Sequence, residues 1–175
     1  WLKLTLATLV VCSTAWLSYI LNESIHVRID SIFQDLSTFA NGNKDTSVGI
    51  RLQQWWAAIH LFLENPLFGV GPGGISQAMP ALIQQGVLTP EAARMMSDAE
   101  VHSEIFAKGA ETGIFGLLSL LSIYIVPTAI FWQIAQTSTQ QARRASFMGI
   151  CLVAGFFIFG LTAEIFNLKM TASFF

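Results

Sequence analysis

The chain has 175 residues, of which 53% are hydrophobic and 11% charged, with a formal net charge of −2. A soluble domain carries about a quarter charged residues. The composition therefore argues against an ordinary water-soluble enzyme, and the predicted fold is all-α: a fragment of a polytopic integral membrane protein with a long helical loop outside the membrane. The chain opens on Trp1 rather than methionine, and we expect it to be a piece of something longer. Cys12 and Cys151 both fall in apolar runs and read as buried small residues. No Cys/His cluster has metal-ligand spacing, so neither a metal nor another cofactor is expected, and no nucleic-acid partner.

Residues 1–21 read as a first transmembrane helix, because Leu4–Leu21 is an uncharged apolar run long enough to span a bilayer. Residues 22–111 form a long, mostly polar segment with five basic and ten acidic residues, a net of −5. A loop of this length should contain helices of its own. Within it, Asn41–Ser47 reads as a turn and a helix start. A helix then follows, with Val48, Leu52, Trp55, Trp56, Ile59 and Leu63 at helical spacing. Asn65-Pro66 ends it, since the residue before proline is pushed out of the α region. We expect this helix to lie along the membrane interface, with both tryptophans at headgroup depth. The glycine-rich stretch GVGPGG, residues 69–74, reads as a tight turn that lets two helices pack closely. It lacks the lysine and Ser/Thr that a phosphate-binding P-loop requires. Thr89-Pro90 opens a short helix, with threonine as cap and proline at the first helical position.

Ser97 and Glu100 fit a capping box. From there one long helix is predicted to Pro127, roughly 45 Å at about 1.5 Å per residue, weakened at Gly109, Gly113 and Gly116. Its first part belongs to the loop; residues 112–135 are a second transmembrane helix. Residues 136–146 are a short polar loop whose Arg143 and Arg144, like Lys3, are expected in the cytoplasm by the positive-inside rule. Residues 147–163 are a third span, and residues 164–175 are a periplasmic tail leading to a further helix.

Two residues in the loop carry candidate chemistry. Arg51 shares a helix face with Trp55, Ala58 and Phe62, where a guanidinium at headgroup depth either binds a phosphate bidentately or snorkels as a lipid anchor. His102 is placed one to two turns into the long helix, roughly 15 Å above the lipid boundary. The positive end of the helix favours a neutral ring that acts as a base; Glu100 and Glu104 act the other way. Spacing alone leaves catalysis open.

The segment IRLQQWWAAIHLFLENPLFGVGPGG, followed some thirty residues on by HSEIFAKGAETGIFGLL, resembles the O-antigen ligase and polymerase family. The matching positions are Arg51, Pro66, Gly69, Gly71, His102, Glu104, Glu111, Gly113 and Gly116, with Ser103 where asparagine is usual. The resemblance covers roughly residues 46–126. It implies an inner-membrane glycosyltransferase, metal-independent, that moves an undecaprenyl-diphosphate-linked glycan onto an acceptor hydroxyl at the periplasmic face. The acceptor is the lipid A core in a ligase and another glycan in a polymerase; protein O-oligosaccharyltransferases are relatives. It further implies His102 as catalytic base and Arg51, Glu104 and Trp55 as substrate-binding residues. Other partners are membrane lipids. The competing reading is a non-catalytic transport or assembly subunit. Transporters keep polar groups near mid-membrane, whereas here they cluster outside the spans.

Overall fold

The computed structural model describes residues 2–96, 101–137 and 139–167. These residues are helical throughout apart from turns, and they fall into two compact units, residues 1–49 and residues 50–175.

The first unit holds α1 (Leu2–Leu21) and α2 (Glu23–Ala40). They meet at Asn22, which leaves the helical region at φ −114°, ψ 103° and accepts a hydrogen bond from the Ser24 N–H at 3.1 Å. Tyr19 then sits edge-on to His26 with ring centres 4.8 Å apart. The turn after α2 is held by Asp35, whose carboxylate accepts from the Val48 N–H at 3.2 Å. Thr46 caps the start of α3 by accepting from the Gly49 N–H.

The second unit contains most of α3 (Ser47–Glu64), then α4 (Gly74–Gln84), α5 (Pro90–Met96), α6 (Glu104–Thr137) and α7 (Gln140–Gly160), closed by a 3-10 turn at Ile165–Asn167. α3 ends one residue before Asn65-Pro66, and Thr89 caps α5 by accepting from the Ala92 N–H, both as the local signals predict. Its apolar face is not spent on lipid alone. Ala57, Ala58 and Leu61 are buried in one core with Ile75, Met79 and Leu82 of α4, Ala92 and Met96 of α5, and Ala107 and Ala110 of α6. Trp55 joins that core, stacked on Phe106 at 5.5 Å, and only Trp56 projects outward, 58% exposed. The alanines admit close approach of neighbouring helices, so burial follows from packing of the protein on itself.

Four further expectations are corrected. The Ser97/Glu100 capping box lies outside the described residues, but the long helix does not run through His102: that residue has φ +53°, and α6 begins at Glu104. Pro127 does not end α6, which runs ten residues further. Thr128 Oγ1 donates to the Tyr124 carbonyl at 2.7 Å on the turn that the proline disturbs. Most of the predicted polar loop is helical, since α7 starts at Gln140 with Thr139 as cap. Arg143 donates from Nε to the Ala135 carbonyl near the end of α6 at 2.9 Å, which closes the hairpin. Cys12 and Cys151 are exposed rather than buried.

α6 and α7 pack as an antiparallel pair around Leu120, Tyr124, Val153 and Phe157, with Gly149 against the Phe131 ring. Both are long and apolar enough to cross a membrane, over 104–136 and 140–160.

Candidate active site

The site is built where the loop turns into α6. The Pro66–Gly71 turn lies directly on the backbone of residues 110–114. In an unbroken helix the Ala110 and Glu111 carbonyls would accept from Ile114 and Phe115. Here Ala110 accepts from the Val70 N–H and Glu111 from the Gly71 N–H, both at 2.8 Å, while the Ile114 N–H donates to the Pro66 carbonyl at 2.8 Å. α6 is therefore broken at Gly113, which takes φ +63°, ψ −153°, a region open essentially to glycine alone. A side chain there would meet the Leu67 carbonyl oxygen at 2.4 Å, and one on Gly69 would meet the Ala110 oxygen at 2.4 Å. The glycine-rich turn thus serves close backbone approach, as expected from its composition, and the partner is the Glu-x-Gly step of α6.

Just before α6, Val101 and Ser103 are buried while His102 between them is half-buried. The left-handed conformation of His102 produces this reversal. It costs a non-glycine residue about 1–2 kcal/mol and persists where the surroundings over-determine it. Those surroundings are two carboxylates at one end of the α6–α7 pair, from the start of α6 and from just past the end of α7. Glu164, past the end of α7, accepts from the Val101 N–H. Glu104, the first residue of α6, accepts from the Phe166 N–H at 3.0 Å. Both are buried, 2% and 1% exposed. Burial raises the Glu164 carboxyl to about 7; the Val101 N–H opposes this, Glu104 and Glu111 add to it, and Lys108 opposes it.

Glu164 also faces a cavity of about 380 Å³ whose walls include Pro72, Gly73 and Ser76 of the glycine-rich turn and α4, Val101, and Lys108 and Glu111 of α6. Lys108 and Glu111 form an ion pair at 3.0 Å across one side of it. The wall mixes apolar side chains, Ile75, Met96 and Val101, with Ser76, Thr112, the Lys108–Glu111 pair and Glu164.

The predicted site residues take distinct places. His102 stands at the foot of α6. Glu104 is two residues away, but its carboxylate is engaged with the Phe166 backbone, and its Oε1 is buried with no hydrogen-bond partner among the described residues. Trp55 is a packing residue whose buried Nε1 likewise finds no partner there. Arg51 is exposed, near the start of α3. Glu164 was missed by sequence reasoning, where it headed an unassigned tail. The one available signal was a lone carboxylate directly after an uncharged span, since such a group is seldom buried without a task.

A helical unit with two apolar helices long enough to cross a membrane, and a loop-built site at one end, fits a membrane location. A family model described as O-antigen ligase matches residues 1–121. The chain belongs to the O-antigen ligase family. It is 26% identical over 116 residues to the O-antigen ligase of Escherichia coli K12, covering 66% of this chain and 27% of that protein. It is 21% identical over 168 residues to an uncharacterized protein of Haemophilus influenzae, covering 94% of this chain and 41% of that one. The chain thus spans between about a quarter and two fifths of the length of these curated relatives.

Proposed function

We propose that the chain is the part of a membrane glycosyltransferase that carries the large loop and the acid–base residue of the site. The reaction is transfer of a glycan from undecaprenyl diphosphate to an acceptor hydroxyl, on the lipid A core for a ligase. The observation that carries this reading is His102: a histidine held half-exposed in a left-handed turn between two buried neighbours, at the boundary of an apolar helix. Family membership supplies the class of reaction.

The donor is activated already, because diphosphate is a good leaving group. The protein then needs a base for the attacking hydroxyl and positive charge for the departing diphosphate. His102 is the base in this reading. Arg51 is the diphosphate ligand, since the acidic loop has no broad positive field and a local guanidinium must serve. The loop faces the periplasm of the inner membrane, with Arg143 and Arg144 on the cytoplasmic side.

General-base catalysis contributes about 100- to 10,000-fold. In the full-length protein, His102→Ala should lower transfer at least about 100-fold with donor binding nearly intact. His102→Gln, which keeps hydrogen bonding without a titrating proton, should be nearly as inactive. Full activity in the glutamine variant would move the base elsewhere. The product separates the ligase reading from its polymerase relatives: glycan joined to lipid A core for the former, a ladder of lipid-linked chain lengths for the latter.

A further inference from the structure

Glu164 and Glu104 exchange hydrogen bonds in opposite directions between two chain segments 62 and 63 residues apart. One bond is donated by the Val101 amide, immediately before His102; the other is accepted by Glu104, the first residue of the helix that begins two residues after it. Ser103, between them, is buried, and its carbonyl takes the first helical hydrogen bond, from the Ala107 N–H. His102 is therefore gripped on both sides through its backbone, while its own side chain keeps partial exposure.

We propose that Glu164 is a positioning residue for His102, latching the turn at Val101–Ser103 to the segment after α7 so that the imidazole is held at a fixed place over the acceptor. The proposal rests on the reading of His102 as the base. Mere closure of a helical hairpin does not require two buried carboxylates, since apolar packing does it at lower desolvation cost. The directions of the bonds also matter. Each carboxylate takes an amide that a helix end or a reversed turn leaves without a helical acceptor. Together they fix both ends of a three-residue turn whose middle residue would otherwise leave the left-handed region. Losing the Glu164 acceptor frees Val101, and the ring of His102 swings with it. Small displacements of a reacting group are costly in rate, about 100-fold for 1 Å.

The test uses the full-length protein in membranes with a polyprenyl-diphosphate glycan donor. Glu164→Met fills the same space without an acceptor; Glu164→Gln keeps an oxygen for the Val101 N–H. Glu164→Met should lower kcat about 10- to 100-fold with the donor KM little changed, and Glu164→Gln should recover most of that loss. Hydrogen exchange at the Val101 amide should rise in Glu164→Met and stay near wild type in Glu164→Gln. The loss should vanish on a His102→Ala background, because a residue acting through His102 has nothing left to position. Wild-type kcat in Glu164→Met overturns the proposal. So do equal losses in Met and Gln, multiplicative effects with His102→Ala, or failure of Glu164→Met alone to fold. A wild-type protein that transfers no glycan overturns the transferase reading instead, and exchange at Val101 then reports separately whether the latch exists.

Discussion

Glu164 and Arg51 mark two ways in which a charged side chain is used here. Glu164 is buried and its carboxyl is raised from the ordinary value near 4.5 to about 7, chiefly by loss of hydration. The folded protein therefore binds that proton more tightly than the unfolded chain does. The stabilisation is full below about 4.5 and is lost as the pH rises through about 7. The thermal midpoint in detergent should fall across that window in the wild type, and Glu164→Gln should show a flatter profile. An identical slope in both would mean that another group sets the pH dependence. Arg51 is exposed, and in the proposed reading it serves the ligand rather than the fold. A hydrogen bond to a charged group contributes about 1.5–3 kcal/mol. Arg51→Lys keeps the charge but not the two-pronged geometry, and should lower transfer roughly tenfold or more. Normal transfer by Arg51→Ala at normal expression would leave it as a lipid anchor.

At the level of elements, the break in α6 is the decisive feature. Gly113→Ala places a methyl group against the Leu67 carbonyl in a backbone region that alanine avoids. A residue held in such a region costs about 1–3 kcal/mol, so the variant should unfold at lower temperature. Gly155→Ala, in open space on helical α7 and without a positive φ, carries neither the contact nor the backbone penalty. A Gly113→Ala protein as stable as wild type would show that the turn and the helix part without cost. The helix ends at Asn65-Pro66 and Thr89-Pro90 were legible because their causes are local: a proline and a cap act within one turn. The break at Gly113 was not, because the groups that replace its helical hydrogen bonds come from residues 66–71. The early start of α7 was hidden for a related reason. A polar composition reads as loop, yet Gln140–Ser146 is helical, capped by Thr139 and tied back by Arg143.

For the molecule as a whole, the all-helical class was legible from composition, and the position of the site was legible only by family resemblance. Val101, His102 and Ser103 carry no spacing that announces a left-handed turn. Glu164 lies beyond the second long apolar helix, too far along the chain for any pattern to couple it to His102. The orientation of the chain makes a separate prediction. If Arg143 and Arg144 are cytoplasmic, a cysteine placed at Asn43 in an otherwise cysteine-free full-length protein should react with an impermeant thiol reagent in intact spheroplasts. Reaction only after lysis would reverse the orientation.

The contact between residues 66–71 and 110–114 is made almost wholly of main-chain atoms. Amides and carbonyls look alike at every position, so this joint constrains chain length far more than side-chain identity. Outside its glycines it should accept wide substitution, whereas inserting or deleting a single residue between Pro66 and Gly71 would misalign all three bonds at once. The same reasoning sets rules for hybrids between relatives. A crossover within either strip is tolerable if residue count is kept, and the two strips need not come from the same parent. Library sequencing after selection for function should therefore find substitutions at the exposed Leu67 and Phe68, and no length variants across the strip.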